Sequence, residues 1–405
     1  MSADFQTSLA EFQRIFRELA AKAASRNHTG QPVHDEIRAL AAAGFGRLRV
    51  PLEYGGFGVD LPTLFELLAE AGTADSNVPQ ILRGHFTTVE ILRRSPSLRQ
   101  RELWLRRAAD GAIFGNAQSE PASDSPDFLP STRLHHVDGQ AVISGVKYYS
   151  TGALYADYIR VAAAVADSED GDVTFAVVSA NDPRVTHADD WDGIGQRLTG
   201  SGTTYFDAVP VSEDGDLGRS KSNLRSIQAF VQLVHLANLA GIARNIVSDA
   251  VALLKSRQRT HLHALSAKAD EDPEVLGVVG NLYRHAQTAD ALLVQVATGL
   301  ERANQLTDAG LDAEDDYARN FIDVSAAQVT IIESVLDAST QIFNAGGASA
   351  IRGVESLDRH WRNARTLASH NPVVYKPRVI GDFVVNGTTA KSFYDRKRGQ
   401  QPSNT

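Results

Sequence analysis

The fold is decided by one segment near the end of the chain, 357-LDRHWRNARTLASHNP-372. Its sixteen residues contain three arginines, one tryptophan and two histidines. Pro372 disfavours the α conformation for Asn371, so we expect His370 on an irregular segment just past a helix, where a side chain can enter a cleft. A histidine there can donate or accept a proton near neutral pH. The alternative is an ordinary helix end, with arginines paired to acidic neighbours and histidines bonded to backbone.

The composition of the whole chain limits the classes of protein it can be. A chain of 405 residues is expected to form two or three domains. It has no cysteine, and therefore no disulfide, thiolate nucleophile or thiolate metal site. No apolar run approaches the ~18 residues of a membrane span, and no secretion signal is recognisable. A net charge of −9 argues against general nucleic-acid binding. We therefore expect a cytoplasmic protein without a nucleic-acid or membrane partner.

Hydrophobic periodicity divides the chain into three regions and predicts an α+β protein. Residues 1–112 show helical spacing, with a helix that stops at Gly44. Residues 113–218 read as a β domain, with hairpins at Asp138-Gly139 and Asp170-Gly171. Residues 219–405 return to helical spacing. Three long helices are expected over 227–254, 276–300 and 321–342, and a fourth from Pro377 towards Gly387, in a four-helix bundle.

Three motifs resemble those of the acyl-CoA dehydrogenase superfamily, at corresponding places along nearly the whole chain. They are the turn 51-PLEYGGFG-58, the segment Ser119-Glu120-Pro121, and 362-RNAR-365 with its upstream Gly346-Gly347. The resemblance implies an N-terminal helical domain, a central β-barrel domain and a C-terminal four-helix bundle. It also implies a flavin bound between the β domain and the bundle.

The position of the usual catalytic base separates two branches of that superfamily. Dehydrogenases carry a glutamate seven residues after the alanine of this motif, and here that position is Asn371. An amide cannot abstract the α-proton of a thioester. With His370 beside it, and with the segments 145-GVKYYSTG-152 and 190-DWDGIGQRLTGSGT-203, the chain resembles the two-component flavin monooxygenases related to dibenzothiophene monooxygenase.

This second resemblance implies a reaction and its participants. Reduced flavin (FADH2 or FMNH2) would react with O2 to form a C4a-hydroperoxide, which oxygenates a hydrophobic aromatic or heteroaromatic molecule at carbon, nitrogen or sulfur. The chain has no Rossmann or Walker fingerprint, so a separate NAD(P)H:flavin reductase is expected to deliver the flavin. Relatives imply a homotetramer.

The resemblance also implies site residues, each with a plainer alternative in a strand end, a core position or a helix terminus. The expected catalytic residues are His370, Asn371, Asn116 and Ser150. The expected flavin contacts are Asn116, Ser119, Ser150, Trp191, Arg259, Gly346, Gly347, Ser349 and His370. The expected substrate pocket contains His85, Trp191 and Leu367. No metal site is expected, because His261 and His263 have no further ligand nearby.

Two other functions stay open at this stage. The first is an acyl-CoA dehydrogenase or oxidase with a relocated base, for which Glu120, Glu333 and Glu355 are the candidates. The second is a flavin-free protein that acts as an assembly surface.

Overall fold

A computed structural model describes residues 3–120, 130–166, 168, 172–218, 224–257 and 260–388. The N-terminal region is helical, as predicted. Gly44 follows the second helix with a left-handed φ of 93°, which confirms the predicted stop. The five helices are α1 (Ala3–Thr29), α2 (His34–Ala42), α3 (Leu61–Ala74), α4 (Asn77–Arg93) and α5 (Leu98–Ala109).

The glycine-rich turn between α2 and α3 is held by close backbone contacts and a buried ion-pair cluster. A Cβ on Gly56 would lie 1.9 Å from the carbonyl oxygen of Val50, so only glycine fits there. Next to the turn, Arg49 Nε donates to Glu90 Oε1 of α4 at 2.5 Å, and both side chains are buried. Arg93 and Arg94 also contact the Glu90 carboxylate. The cluster ties the turn to α4.

The central region is a β domain whose strands close on themselves. The pairings run from β4 through β2, β3, β7 and β5 and return to β4, so five strands form a barrel. β1 adds in parallel to β4, and β6 adds antiparallel to β7. The strands are β1 (Phe114–Ala117), β2 (Arg133–Val137), β3 (Gln140–Lys147), β4 (Tyr158–Val165), β5 (Val173–Ser179), β6 (Val185–His187) and β7 (Thr204–Asp216).

Both predicted hairpins of the β domain are confirmed as strand pairs. β2 and β3 pair antiparallel across Asp138-Gly139, with Val137 opposite Gln140. β4 and β5 pair antiparallel along their whole length, although Asp170 and Gly171 of the connecting turn lie outside the described residues.

The C-terminal region contains three long helices and two shorter ones: α6 (Leu224–Ser256), α7 (Pro273–Asp308), α8 (Glu314–Gly346), α9 (Asp358–Ser369) and α10 (Lys376–Asn386). The helix expected from Pro377 is α10, and Gly387 follows it with a φ of 68°. Within α6, Ser226–Ser256 is apolar and long enough to cross a membrane, but 78% of its most apolar window is buried inside the protein. It is therefore the core helix of the bundle.

The two helical regions share one hydrophobic core, which periodicity alone does not predict. α3 packs on α6 and α7, and the rings of Phe65 and Phe230 lie 5.4 Å apart. The helices approach closely because Gly241 lies against α3, where a Cβ would come within 2.5 Å of the carbonyl oxygen of Ala69. Residues of the β domain such as Leu198 join the same core. Elements from all three regions thus meet around a cavity.

Candidate functional site

A cavity of about 600 Å³ lies between the β domain and the helices. Its size is within the range of ligand pockets, ~300–1,000 Å³. One wall comes from the end of β1, the segment before Ser150 and the loop 191–201. The other comes from α4, α6 and α9. The lining residues are Gln80, Arg83, Thr87, Asn116, Gln118, Ser119, Tyr149, Thr151, Trp191, Gly193, Ile194, Gln196, Thr199, Ser201, Val231, Arg365, Thr366, Leu367, Ser369 and His370.

The β wall presents amides, hydroxyls and one indole ring. Asn116 is buried at the end of β1, and its Oδ1 accepts a hydrogen bond of 2.8 Å from Gln118 Nε2. The carbonyl of Ser119 accepts from the backbone N–H of Tyr148, which ties this segment to the residues after β3. The ring of Trp191 meets the ring of Tyr149 edge to face at 5.9 Å. This wall offers a flat apolar surface with polar groups beside it.

The loop that carries Trp191 is held both at its base and at its tip. At its base, Asp190 accepts bonds of 2.7 and 2.6 Å from the backbone N–H and the hydroxyl of Thr203. At its tip, the backbone N–H of Gln196 donates to Asn363 Oδ1 of α9 at 2.7 Å. A Cβ on Gly195 would lie 2.2 Å from the carbonyl oxygen of Arg362, so the loop touches α9 closely. The β wall and the helical wall are therefore held at a fixed separation.

His370 lies on the helical wall, at the C-cap of α9, as the sequence predicts. Protein atoms around its ring, and then the positive charge of Arg83, lower the pKa of His370 to about 3. The residue is also exposed to solvent, at the edge of the cavity. The imidazole is neutral at neutral pH and can still donate one N–H bond.

A second histidine, which sequence reasoning missed, contacts the first. His235 of α6 is buried, and its ring centroid lies 4.3 Å from that of His370. Neither ring nitrogen of His235 has a hydrogen-bond partner within the described parts of the chain. Burial, His370 and Arg83 hold the pKa of His235 well below its usual range, so this imidazole is also neutral.

The cavity also has an unbalanced charge. Its lining includes Arg83 and Arg365 but, over the described ranges, neither aspartate nor glutamate. Arg365 is exposed, whereas Arg83 is only 8% exposed. A purely hydrophobic aromatic ligand would not require a buried guanidinium, so the lining is more polar than the sequence led us to expect.

Several predicted residues lie beside the cavity rather than on its wall. Ser150 is buried, and its hydroxyl has no partner among the described residues, but its neighbours Tyr149 and Thr151 form the lining. Asn371 follows His370 in the turn after α9 and is absent from the lining. Leu367 is on the wall, where the sequence placed it.

His85 requires a correction, because it lies in the core and not in the substrate pocket. Its Nε2 lies 2.7 Å from the carbonyl oxygen of Gly46, and its Nδ1 accepts from the backbone N–H of Phe114 at 3.3 Å. These two bonds fix a neutral tautomer with the proton on Nε2. Burial lowers the pKa of His85 to about 4. Both nitrogens are occupied, so the residue has no free group for a ligand.

The remaining predicted flavin contacts are absent from the cavity lining or lie outside the described residues. Gly346 is buried at the end of α8, where a Cβ would lie 2.4 Å from Leu253 Cδ2. Gly347 caps the helix with a φ of 56°. Within this chain, Gly346 therefore allows close packing against α6, and Gly347 ends α8. Arg259 and the side chain of Ser349 lie outside the described residues.

The three candidate bases for a dehydrogenase are not in the cavity lining. Glu120 binds Lys147 Nζ at 2.6 Å and accepts from Ser131 and Thr132. Burial opposes ionisation of Glu120, but these partners outweigh it and lower its pKa to about 2. Glu333 is exposed on α8, and Glu355 lies in the short turn before α9. This geometry disfavours a relocated carboxylate base.

Comparison with known families gives three matches along the chain. Residues 3–112 match the acyl-CoA dehydrogenase N-terminal domain, residues 116–209 the middle domain and residues 233–375 the C-terminal domain.

Characterised relatives and solved structures agree with these matches. The chain is 30% identical over 388 residues to the dibenzothiophene monooxygenase of Mycolicibacterium goodii, covering 92% of this chain and 93% of the relative. It is 27% identical to a probable FMNH2-dependent monooxygenase, SfnC, of Pseudomonas putida, covering 97% and 100%. FMN-bound TdsC of Paenibacillus sp. A11-2 superposes with a TM-score of 0.86 at 26% identity, covering 94% and 98%. Methanesulfinate monooxygenase MsuC of Pseudomonas fluorescens gives 0.84 at 25% identity, covering 96% and 98%.

Proposed function

This chain belongs to the acyl-CoA dehydrogenase family, in the branch that contains dibenzothiophene monooxygenase, and from that premise we propose that it is a reduced-flavin-dependent monooxygenase. One observation carries the proposal. The cavity has amides, hydroxyls and an indole on one wall and a neutral histidine on the other, and no carboxylate in the described lining. This arrangement suits oxygen transfer better than proton abstraction from a thioester.

The residues present fit a flavin ring. The hydroxyl of Ser150, which has no partner among the described residues, and the amide of Asn116 supply hydrogen-bonding groups next to the cavity, as a ring with several nitrogen and oxygen atoms requires. Ser119 adds a hydroxyl at the same wall. Trp191 supplies an apolar face, with its N–H already used by the carbonyl of Gln196. These four residues would hold the ring against the β domain.

A reduced flavin held there would supply two electrons to O2, so that one oxygen atom would enter the substrate and the other would leave as water. His370, on the opposite wall, donates an N–H bond to oxygen and acts as a neutral group, because its pKa is far below neutral pH. The loop that carries Trp191 forms part of the cavity wall, and a flavin bound against it would be shielded from water on that side, which would protect the activated oxygen from loss as H2O2. His235 holds the ring of His370 in place through their contact.

The partners follow from the relatives. SfnC is a probable FMNH2-dependent monooxygenase, and we propose that a separate NAD(P)H:flavin reductase supplies reduced flavin to this chain in the cytoplasm. We also propose a homotetramer. Val374 and Tyr375, together with Val384 and Val385 of α10, expose apolar side chains that association would cover. Light scattering should give four times the chain mass of 43.7 kDa, and a monomer at micromolar concentration would contradict the tetramer.

The proposed function predicts that the protein binds reduced FMN or FAD in the absence of oxygen and that Asn116 contributes to this binding. We expect Asn116→Leu to weaken the affinity about 3- to 10-fold, the value of one hydrogen bond. The matched control is Asn181→Leu, at an exposed turn of the same domain, which should leave the affinity unchanged.

Anaerobic fluorescence titration measures the affinity, and admission of O2 with dibenzothiophene or another candidate substrate tests for oxygenated product. Failure to bind either reduced flavin would overturn the proposal. Oxidation of an acyl-CoA to an enoyl product would assign the chain to the dehydrogenases instead.

A further inference from the structure

We infer that the substrate of this enzyme carries an oxyanion, a carboxylate or a sulfinate, and that Arg83 binds it at the helical end of the cavity. That the bound anion is the substrate rests on the proposed function. It narrows the substrate class from neutral aromatic molecules to small apolar or aromatic acids.

The first observation is the state of Arg83 itself. It is 8% exposed, its Nε is buried without a hydrogen bond, and no carboxylate in the described parts of the chain forms an ion pair with it. Burial lowers the pKa of Arg83 to about 10, and no acidic neighbour opposes this effect. Burying a guanidinium without a counter-ion lowers the stability of the fold. We therefore expect Arg83 to pair with an anionic ligand when that ligand binds.

The second observation is the charge of the surroundings. Arg160 of β4 is also buried, its guanidinium lies over the ring of Phe175, and its Nε has no partner in the part of the chain described. Burial and then the charge of Arg83 lower the pKa of Arg160 to about 10. Two cations near each other without an intervening acid create a positive potential that attracts an anion.

The third observation is a group of polar atoms without partners near Arg83. Gln80 lies three residues before Arg83 on α4, so both face the cavity. Gln80 Oε1 and both ring nitrogens of His235 are buried without hydrogen bonds over the described ranges. Buried polar groups are normally satisfied, so Gln80, which lines the cavity, would be satisfied by a polar ligand beside Arg83. His235 is not part of the lining and borders this end of the cavity only through its contact with His370.

The position of Arg83 favours the substrate over the flavin as the anion. Arg83 lowers the pKa of both His235 and His370, so its charge lies near this histidine pair on the helical side. Ser119 and Trp191, which fit the flavin ring, lie on the β wall, whereas Asn116 borders both groups, because Gly84, next to Arg83, packs against it. An acid held by the planar fork of Arg83 through two parallel bonds would lie next to His370. A neutral analogue would leave the guanidinium unpaired and should bind more weakly.

Calorimetric titration with benzoate, benzenesulfinate and the neutral benzamide tests this inference, with and without oxidised FMN. We expect the wild-type protein to prefer the two acids to benzamide at least 10-fold. Arg83→Met should weaken binding of the acids about 10- to 100-fold, as expected for a hydrogen bond to a charged group, and should leave benzamide unaffected. Arg83→Lys should retain part of the preference. FMN affinity should change less than 2-fold.

A stability measurement separates this role from a structural one. Arg83→Met removes a buried unpaired charge, so its melting temperature should equal or exceed that of the wild type, and benzoate should raise the melting temperature of the wild type alone. Several outcomes would overturn the inference: equal affinity for benzoate and benzamide, a loss of FMN affinity in Arg83→Met that matches the loss for acids, or loss of the preference in Arg365→Met only. Failure of flavin binding with an intact preference for acids would overturn the proposed function and leave the anion site standing.

Discussion

Replacing His370 with phenylalanine is expected to lower the rate of product formation about 100- to 1,000-fold, within the usual range for a lost acid–base or hydrogen-bonding group. Phenylalanine keeps the ring contact with His235 but removes the N–H that we propose donates to oxygen. Reduced flavin should still bind and should still be reoxidised by O2, with most of the oxygen released as H2O2. Rapid mixing of the enzyme–FMNH2 complex with O2, followed by separate assays of product and H2O2, measures this change.

Two comparisons make the His370 result specific. His370→Gln retains an N–H donor and should recover part of the activity, whereas His136→Gln, on the exposed face of β2, should behave as wild type. Because the pKa of His370 is far below its ordinary value, the imidazole stays neutral between about pH 5.5 and 8. The rate of product formation should therefore show no change in that range that comes from protonation of His370. Unchanged coupling of O2 to product in His370→Phe would remove this residue from the mechanism.

Replacing Glu90 with glutamine is expected to lower the free energy of unfolding by about 3–5 kcal/mol, as when one partner of a buried ion pair is removed. The change removes the nearest carboxylate of Arg49, which is almost fully buried, and leaves it only the more distant ion pair of 3.7 Å with Glu301. Urea unfolding followed by circular dichroism measures the loss. The control is Glu11→Gln, which removes an exposed pair with Arg14 and should leave the unfolding midpoint unchanged.

The same carboxylate predicts how stability depends on pH. Burial opposes ionisation of Glu90, but Arg49, Arg93 and Arg94 outweigh it and lower its pKa to about 2, from an ordinary value of 4.5. Since the unfolded chain binds the proton more tightly, Glu90 stabilises the fold above about pH 4.5, and this contribution is lost as the pH falls towards 2. Glu90→Gln should flatten the stability curve in that window. A curve equal to that of the wild type would show that Glu90 contributes nothing there.

The secondary structure was predictable wherever local chemistry determined it. The left-handed glycine at Gly44, the hairpin at Asp138-Gly139 and the helix before Gly387 depend on residues next to one another in the chain. The cavity residues Asn116, Ser119, Trp191 and His370 were found for a related reason, since each lies within a short motif that resembles the family.

The misplacement of His85 shows where reasoning from sequence fails. The correct helix was identified, but the residue that faces the cavity is Arg83, two positions earlier. Residues two apart on a helix point about 200° apart, so a small error in phase selects the opposite face. No motif defines the phase of α4, and histidine attracted attention because of its chemistry.

His235 was missed for a different reason. It lies in the middle of the apolar helix α6, where a single polar residue does not disturb the hydrophobic pattern. Its partner His370 is 135 positions later in the chain, and no periodicity connects residues so far apart. The pairing of His235 with His370 depends on how α6 and α9 pack, and this can be read only from the folded structure.

The core shared by the N-terminal helices and the bundle has a consequence for synthesis on the ribosome. α3 can pack on α1 and α4 early, but the part of its surface that packs on α6 and α7 is uncovered until those helices have been made, and the barrel is translated in between. At ~5–20 residues per second, the nascent helices wait on the order of tens of seconds before they can complete their core. During that time Leu64 and Leu68 of α3 are exposed to other chains. Molecular chaperones would have to protect the emerging polypeptide, and the segment 1–112 expressed by itself would be prone to aggregate.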